Sequence, residues 1–332
     1  MNTSTRWLLR LIGPALLIFF LWRSDVGAIL TNLRELNLLP LLISLGLMPV
    51  FVAVKSWRWI MIMRELGMQP PSLGFASALY SIGLFVGGVT PGQSGDFIKA
   101  WYLKERGQQL TPGLFSIVID RLFDFIVMAI LALVGLIAFV DVFPSDMRTP
   151  LSVATISFAT LIFALTPALM ARRPRERIFG LLLPLLPGRL RTPAERWRDQ
   201  LAGLSMRPQL LGLLMLASVG SATSTVIRIW LLFVALPLAN VPPLAIIGST
   251  ALISILQALP ISFAGVGVRD AILIAVLGRY GYSAELAISL STLFLLINID
   301  HLSAVFFIGL RSPPGRPPPA DALNPDTSKN TT

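Results

Sequence analysis

Cysteine is absent from this 332-residue chain, histidine occurs once, and only 13% of the residues are charged. Without thiols there are no disulfides, thiolate metal sites or thiol catalysis. His301 alone cannot build a multi-histidine zinc site or a histidine-rich catalytic centre, so no metal and no catalytic residue is expected. No G-x-x-x-x-G-K-[ST] stretch occurs either, which leaves no phosphate-binding loop for a nucleotide, and no cofactor is expected. A soluble domain carries about 25% charged residues. This chain has half of that, is 55% hydrophobic, and has a mean hydropathy of +0.75.

A membrane helix needs about 20 mainly apolar residues. Such runs lie at 8–22, 38–63, 113–140, 150–171, 209–236 and 285–309. The first resembles a signal peptide, with Val26-Gly27-Ala28 as a loose cleavage site, but Arg23 and Asp25 intervene, so it is read as an uncleaved span. Regions 72–103 and 243–279 are also apolar but are broken near the middle by Gly, Pro and charge. One break holds Pro91, Gly92, Gly95 and Asp96; the other holds Pro260, Gly265, Gly267, Arg269 and Asp270. Irregular backbone at membrane depth is tolerated only when buried in protein or lining a wet cavity. Both regions are therefore expected to be re-entrant helical hairpins.

The hairpins look related. Asp96 and Asp270 are 174 positions apart, and so are Gly107 and Gly281, and Asp124 and Asn298. Three spans separate the hairpins, and an odd number reverses their orientation. The expectation is an all-α polytopic membrane protein: six full spans plus two re-entrant hairpins in a 3+3 inverted repeat. Repeat one covers about 8–140 and repeat two about 150–309, within a membrane domain of 1–311. Residues 312–332, rich in Pro, Asn, Ser and Thr, read as a disordered cytoplasmic tail. Broken segments in corresponding halves point to a transport site between them.

The formal charge of +10 suggests nucleic acid until it is located. Segment 172–208 holds nine Arg against three acids. By the positive-inside rule that loop is cytoplasmic, which puts both termini inside, with hairpin one opening to the cytoplasm and hairpin two outward. No nucleic-acid partner is expected.

The remaining charge is costly where it sits. Lys55, Arg58, Lys99, Arg121, Arg228 and Arg269, with Asp96, Asp120, Asp124, Asp270 and Asp300, all interrupt apolar stretches. At roughly 2.5–3.5 kcal/mol each on an insertion scale they cannot all face lipid. They pair, snorkel or line an aqueous cavity. Asp96 and Lys99 share a helix face, and the N–H groups after Pro91-Gly92 offer an anion cradle, or else Asp96 is simply a helix cap. Arg269 is suited to a phosphate, or to a structural pair with Asp270. Asp120 and Asp124, one turn apart beside Arg121, read as a charge network against Lys55 or Lys99, or as a proton relay. Arg228 has no local acid, so its partner comes from another helix or a ligand. Lys55 and Arg58 either serve function or snorkel to the cytoplasmic interface beside Trp57 and Trp59. Asp300-His301 reads either as a proton carrier or as ordinary polar packing near the inner end of the last span. The candidate substrate contacts are Asp96, Lys99, Arg121, Asp124, Arg228, Arg269 and Asp270.

Pro91-x-x-x-Gly95-Asp96-x-x-Lys99, then Asp120-Arg121-x-x-Asp124, then Leu259-Pro260-Ile261-Ser262 with Gly265-x-Gly267-x-Arg269-Asp270, resemble in order the signatures of the lysylphosphatidylglycerol synthase transmembrane, or flippase-like, family. The resemblance covers about residues 10–310. It implies an integral membrane domain of the kind that moves an aminoacylated phospholipid between leaflets, or serves hopanoid, glycolipid or polyprenyl-linked pathways. About 20 residues follow the last span where the synthases carry a soluble catalytic domain, so synthase activity is not carried over. Ala264 stands where a Gly is common.

The function expected is a lipid flippase or lipid-transport protein of the cell (inner) membrane, not an enzyme. It would act on phospholipids or glycolipids with anionic or modified headgroups and have lipid-biosynthesis enzymes as further partners. The alternatives are a secondary transporter of a small anion, an intramembrane enzyme using paired Asp residues, and an auxiliary subunit of a lipid or cell-envelope synthesis complex.

Overall fold

The computed structural model describes residues 26–88, 90–139, 145–202, 206–238, 240–258 and 267–294. Every regular element among them is helical. That is what a bilayer requires, because a helix satisfies its own backbone polar groups and an open strand does not. The chain runs α1 (Val26–Arg34), α2 (Leu38–Gly46), α3 (Met48–Glu65), α4 (Leu73–Gly88), a 3-10 turn (Pro91–Phe97), α5 (Ile98–Glu105) and α6 (Leu110–Phe139). It continues through α7 (Ser145–Met170), α8 (Arg172–Leu182), α9 (Gly188–Leu201), α10 (Pro208–Ala235), α11 (Pro243–Ala258), α12 (Val268–Arg279) and α13 (Ala284–Phe294).

Three stretches, Leu38–Glu65, Arg148–Pro167 and Gln209–Ala235, are long and apolar enough to cross a membrane. The 30-residue α6 is about 45 Å long at 1.5 Å per residue and carries Asp120, Arg121 and Asp124. The first stretch is not one straight helix. Pro49 has no N–H, and the chain bends at Leu47, dividing the run into α2 and α3. Leu39 on α2, Ile137 on α6, Leu161 on α7 and Leu216 on α10 are exposed, Ile137 by 84%. Such apolar faces suit lipid rather than water. The expected span at 8–22, the tip of hairpin two with Pro260 and Gly265, Asp300-His301 and the tail from 312 lie outside the described residues. Helix α1 and the helical pair α8–α9 are elements that hydropathy did not reveal.

Hairpin one is present as expected. Helix α4 runs out, the 3-10 turn reverses the chain, and α5 returns beside α4. Thr90 Oγ1 fastens the turn, donating to Val86 O at 2.8 Å and accepting from the Gly95 N–H at 2.8 Å. Two glycines let the arms meet. A Cβ on Gly95 would lie 2.6 Å from the Val86 carbonyl, and one on Gly83 would lie 2.3 Å from Asp96 Oδ1. The arms of hairpin two, α11 and α12, also pack on each other, and α11 crosses α6 so closely that a Cβ on Gly135 would lie 2.7 Å from Gly248 Cα.

The 174-residue offset reappears in the backbone. Return helices α5 and α12 end at Glu105 and Arg279, and the helices that follow begin at Leu110 and Ala284. Between them, Gly107 and Gly281 have φ of 82° and 80°. Gln108 N–H donates to Leu103 O, and Tyr282 N–H to Leu277 O, both at 3.1 Å. These are the same C-terminal cap, residue for residue, and the left-handed glycine is what the cap demands.

Candidate functional site

A buried ionic network joins α3, hairpin one, α6 and α10. Arg58, fully buried on α3, donates Nε to Asp120 Oδ1 at 2.8 Å, Nη1 to Asp124 Oδ1 at 2.8 Å and to Ser218 Oγ at 2.7 Å, and Nη2 to the Asp120 carbonyl at 2.9 Å. The spacing of Asp120 and Asp124 on one helical turn lets a single planar guanidinium engage both. Asp120 Oδ2 accepts from Tyr80 OH at 2.6 Å, and Asp124 Oδ2 from Lys55 Nζ at 2.6 Å. Of the two readings of Lys55 and Arg58, snorkelling is the one the structure does not follow; the two Asp residues on α6 hold them inside, where the attraction is stronger, as in the network expected with Lys55.

Asp96 is not a helix cap. Its Oδ2 accepts from Arg121 Nε at 2.8 Å and lies 2.9 Å from Lys99 Nζ, so hairpin one is bound to α6 by an ion pair. Nor do the turn's N–H groups all stay open to an anion, since Gly95 N–H is committed to Thr90. The Lys99 ammonium sits 3.9 Å from the Tyr80 ring centroid and 5.0 Å from that of Trp59. No hydrogen-bond partner with proper geometry meets Lys99 Nζ or Asp96 Oδ1 among the described residues. Such buried groups are costly to leave unsatisfied, and their persistence marks a constrained part of the molecule.

A cavity of about 170 Å³ opens beside this network. Lys55, Arg121 and Asp124 contribute to its wall, with Ser218, Ser221 and Thr225 of α10, Leu84 of hairpin one, Ser254 of hairpin two, and apolar residues that include Phe51 and Phe125. Fractional exposure separates two sets of charges. Arg121 (15%), Asp124 (13%) and Lys55 (9%) reach the cavity, whereas Arg58, Lys99, Asp96 and Asp120 are at 1% or below. The hydroxyls spend their protons on their own helices: Ser218 on Leu214 O, Ser221 on Ser218 O, Thr225 on Ser221 O and Ser254 on Thr250 O. What remains on these oxygens is acceptor capacity, part of which Ser218 gives to Arg58 Nη1 at 2.7 Å.

The other expected contacts lie elsewhere. Arg228 finds its partner on another helix: Nε donates to Ser44 O at 2.9 Å, and Ser44 Oγ returns a bond to the Arg228 carbonyl at 2.9 Å, fastening α2 to α10. Arg269 is 2% exposed and donates Nε to Ser291 Oγ at 2.7 Å. Asp270 accepts from Gly267 N–H at 2.7 Å and so caps α12, where the φ of 83° at Gly267 needs a glycine. The structure thus gathers Asp96, Lys99, Arg121 and Asp124 into one network and leaves Arg228, Arg269 and Asp270 apart from it.

Tyr80, Gly83 and the hydroxyl stripe were not singled out from the sequence. The stripe has a signal, since Ser218, Ser221 and Thr225 recur at helical spacing in an otherwise apolar run. Tyr80 and Gly83 have none: one is an aromatic in an apolar helix, the other one of 25 glycines.

Comparison with curated proteins finds no match, and comparison with solved structures finds none either. The family model for the lysylphosphatidylglycerol synthase TM region matches residues 7–300, which include the network, the cavity and both hairpins. This chain is an integral membrane protein and belongs to that family.

Proposed function

We propose that this chain is a lipid flippase or lipid-transport protein, without enzymatic activity or cofactor, that moves lipids with anionic or modified headgroups between leaflets. The supporting observation is the cavity, where two cations and a carboxylate from apolar helices meet a hydroxyl wall, with both hairpins contributing. In this reading Arg121 and Lys55 receive the headgroup phosphate, Asp124 and the hydroxyls receive its donors, and acyl chains stay in the bilayer. The Asp96–Arg121 pair is a latch between hairpin one and α6. A phosphate drawing Arg121 toward the cavity weakens that latch and lets the hairpin move. The two halves form a 3+3 inverted repeat, and alternating exposure of the hairpins carries the headgroup across. The protein sits in the cell (inner) membrane with both termini cytoplasmic, and the lipid's own gradient or an ion gradient drives transport.

The test is reconstitution with fluorescent anionic lipids and leaflet-specific quenching. Arg121→Gln and Lys55→Gln are expected to slow translocation about tenfold, as loss of ~1.4 kcal/mol of headgroup contact would. Unchanged rates in both would overturn the assignment. The small size of the cavity favours one second reading, transport of a small soluble anion. Anion uptake with no lipid movement would establish that instead.

A further inference from the structure

The arginine-rich segment between α7 and α10 is a folded pair of helices. Both of its ends are pinned where spans end: Met206 N–H donates to Met170 O at 3.2 Å, and Arg207 forks onto Glu65 at 2.7 Å. Arg175 is buried, donates Nη2 to Leu201 O at 2.6 Å, and faces Phe115 of α6 at 5.5 Å, which ties α8 and α9 to each other and to the body. The pair therefore lies at the level where the candidate spans Leu38–Glu65, Arg148–Pro167 and Gln209–Ala235 leave the membrane.

Its surface is amphipathic. Leu181, Leu185, Leu190 and Trp197 are 72%, 78%, 56% and 49% exposed, an apolar area with nothing described upon it. All three acids of the segment are locally paired: Glu176 with Arg172, Glu195 with Arg191, and Asp199 with Arg198. That leaves Arg173, Arg177 and Arg196, all exposed, without an acid partner among the described residues. Arg177 precedes the apolar tip at 181–185 and Arg191 follows it. Exposed leucines and a tryptophan on helices that also carry unneutralised Arg173, Arg177 and Arg196, at a span's end, are the chemistry of a helix lying in the headgroup layer.

We infer that α8 and α9 form an interfacial platform that binds anionic lipid of the leaflet at that end, with Leu181 and Leu185 in the acyl boundary and Arg173, Arg177 and Arg196 on headgroup phosphates. This contact is separate from the cavity and does not depend on the transport reading.

The chain has no cysteine, so a single one can be labelled uniquely. Full-length Leu185→Cys and Leu181→Cys proteins, carrying an environment-sensitive nitrobenzoxadiazole label, would be reconstituted in phosphatidylcholine vesicles with and without about 30% phosphatidylglycerol. Blue-shifted emission, quenching by spin-labelled lipid, and iodide quenching at least about threefold weaker with phosphatidylglycerol present are expected. In the Arg173→Gln/Arg177→Gln/Arg196→Gln background the dependence on phosphatidylglycerol should disappear. Matching thermal melts would establish that the labelled proteins are folded. Labels fully open to iodide in both vesicle types would overturn the inference, as would shielding that appears only when a soluble protein co-purifies. Neither result alters the translocation measurement, so the two readings fail separately.

Discussion

The two hairpins share a frame and differ in chemistry. Their return helices end in the same cap, at Gly107 and Gly281, and each carries an Asp at the corresponding place, Asp96 and Asp270. Asp96 binds Arg121 and Lys99 across helices, while Asp270 binds the N–H of Gly267 three residues away. Around the first, Lys55, Arg58, Lys99 and Asp120 build an ionic core. The positions 174 residues on hold Ile229, Leu232, Leu273 and Phe294, which are buried apolar core. The same cap and the same spacing occur twice. One half fills that frame with packing, and the other spends stability on charge that one cavity can use, so the ionic half is expected to fail where the apolar half would not.

The largest expected effect follows from importing one apolar residue. Arg58→Leu copies Leu232 but strands Asp120 and leaves Asp124 with Lys55, and removing one partner from a buried pair costs about 3–5 kcal/mol. The detergent-solubilised unfolding midpoint should fall accordingly. The double variant Arg58→Leu/Asp120→Asn removes the stranded charge and should recover much of that loss without restoring transport. Equal destabilisation of the single and double variants would show that the network is not organised around the Arg58–Asp120 pair.

Next in size is the contrast between the paired aspartates. Asp96→Asn removes the carboxylate that Arg121 and Lys99 share and is expected to cost about 2–3 kcal/mol. Asp270→Asn keeps an acceptor for the Gly267 N–H and should cost under about 1 kcal/mol. The same unfolding midpoints report both. Equal losses would mean that Asp96 is only a local brace.

These asymmetries also explain what could be read from the chain. Hydropathy found the long helices, and Gly, Pro and charge found hairpin one, because both signals are local and repeat along a helix. That α6 charges hold Lys55 and Arg58 was legible only as a need for partners. The spacing of Asp120 and Asp124 gives a face but not which helix lies across from it. Asp96 and Asp270 look identical in sequence, yet one ends on Arg121, 25 residues on, and the other on its own turn. Helices α8 and α9 escaped a hydropathy reading because their apolar residues lie on one face only, diluted by arginine.

A smaller effect tests how tightly hairpin one is closed. Gly83→Ala places a Cβ 2.3 Å from Asp96 Oδ1, so the carboxylate must shift, at about 1–3 kcal/mol. Gly220→Ala on α10 meets nothing within 4 Å and should be neutral or stabilising by up to about 1 kcal/mol through helix propensity. If transport falls with Gly83→Ala and not with Gly220→Ala, hairpin closure and headgroup handling are coupled.

The smallest expected difference is the most exacting for the repeat. Gly107 and Gly281 have φ of 82° and 80°, and a Cβ on either meets nothing within 4 Å. Alanine at each position therefore pays only the left-handed backbone penalty, about 1–2 kcal/mol. The two losses should agree within about 0.5 kcal/mol, because the caps share their hydrogen bonds as well as their angles. A larger loss at Gly107 would mean that the ionic network pulls on the end of its return helix, and that the scaffold differs between the halves as well as the side chains set upon it.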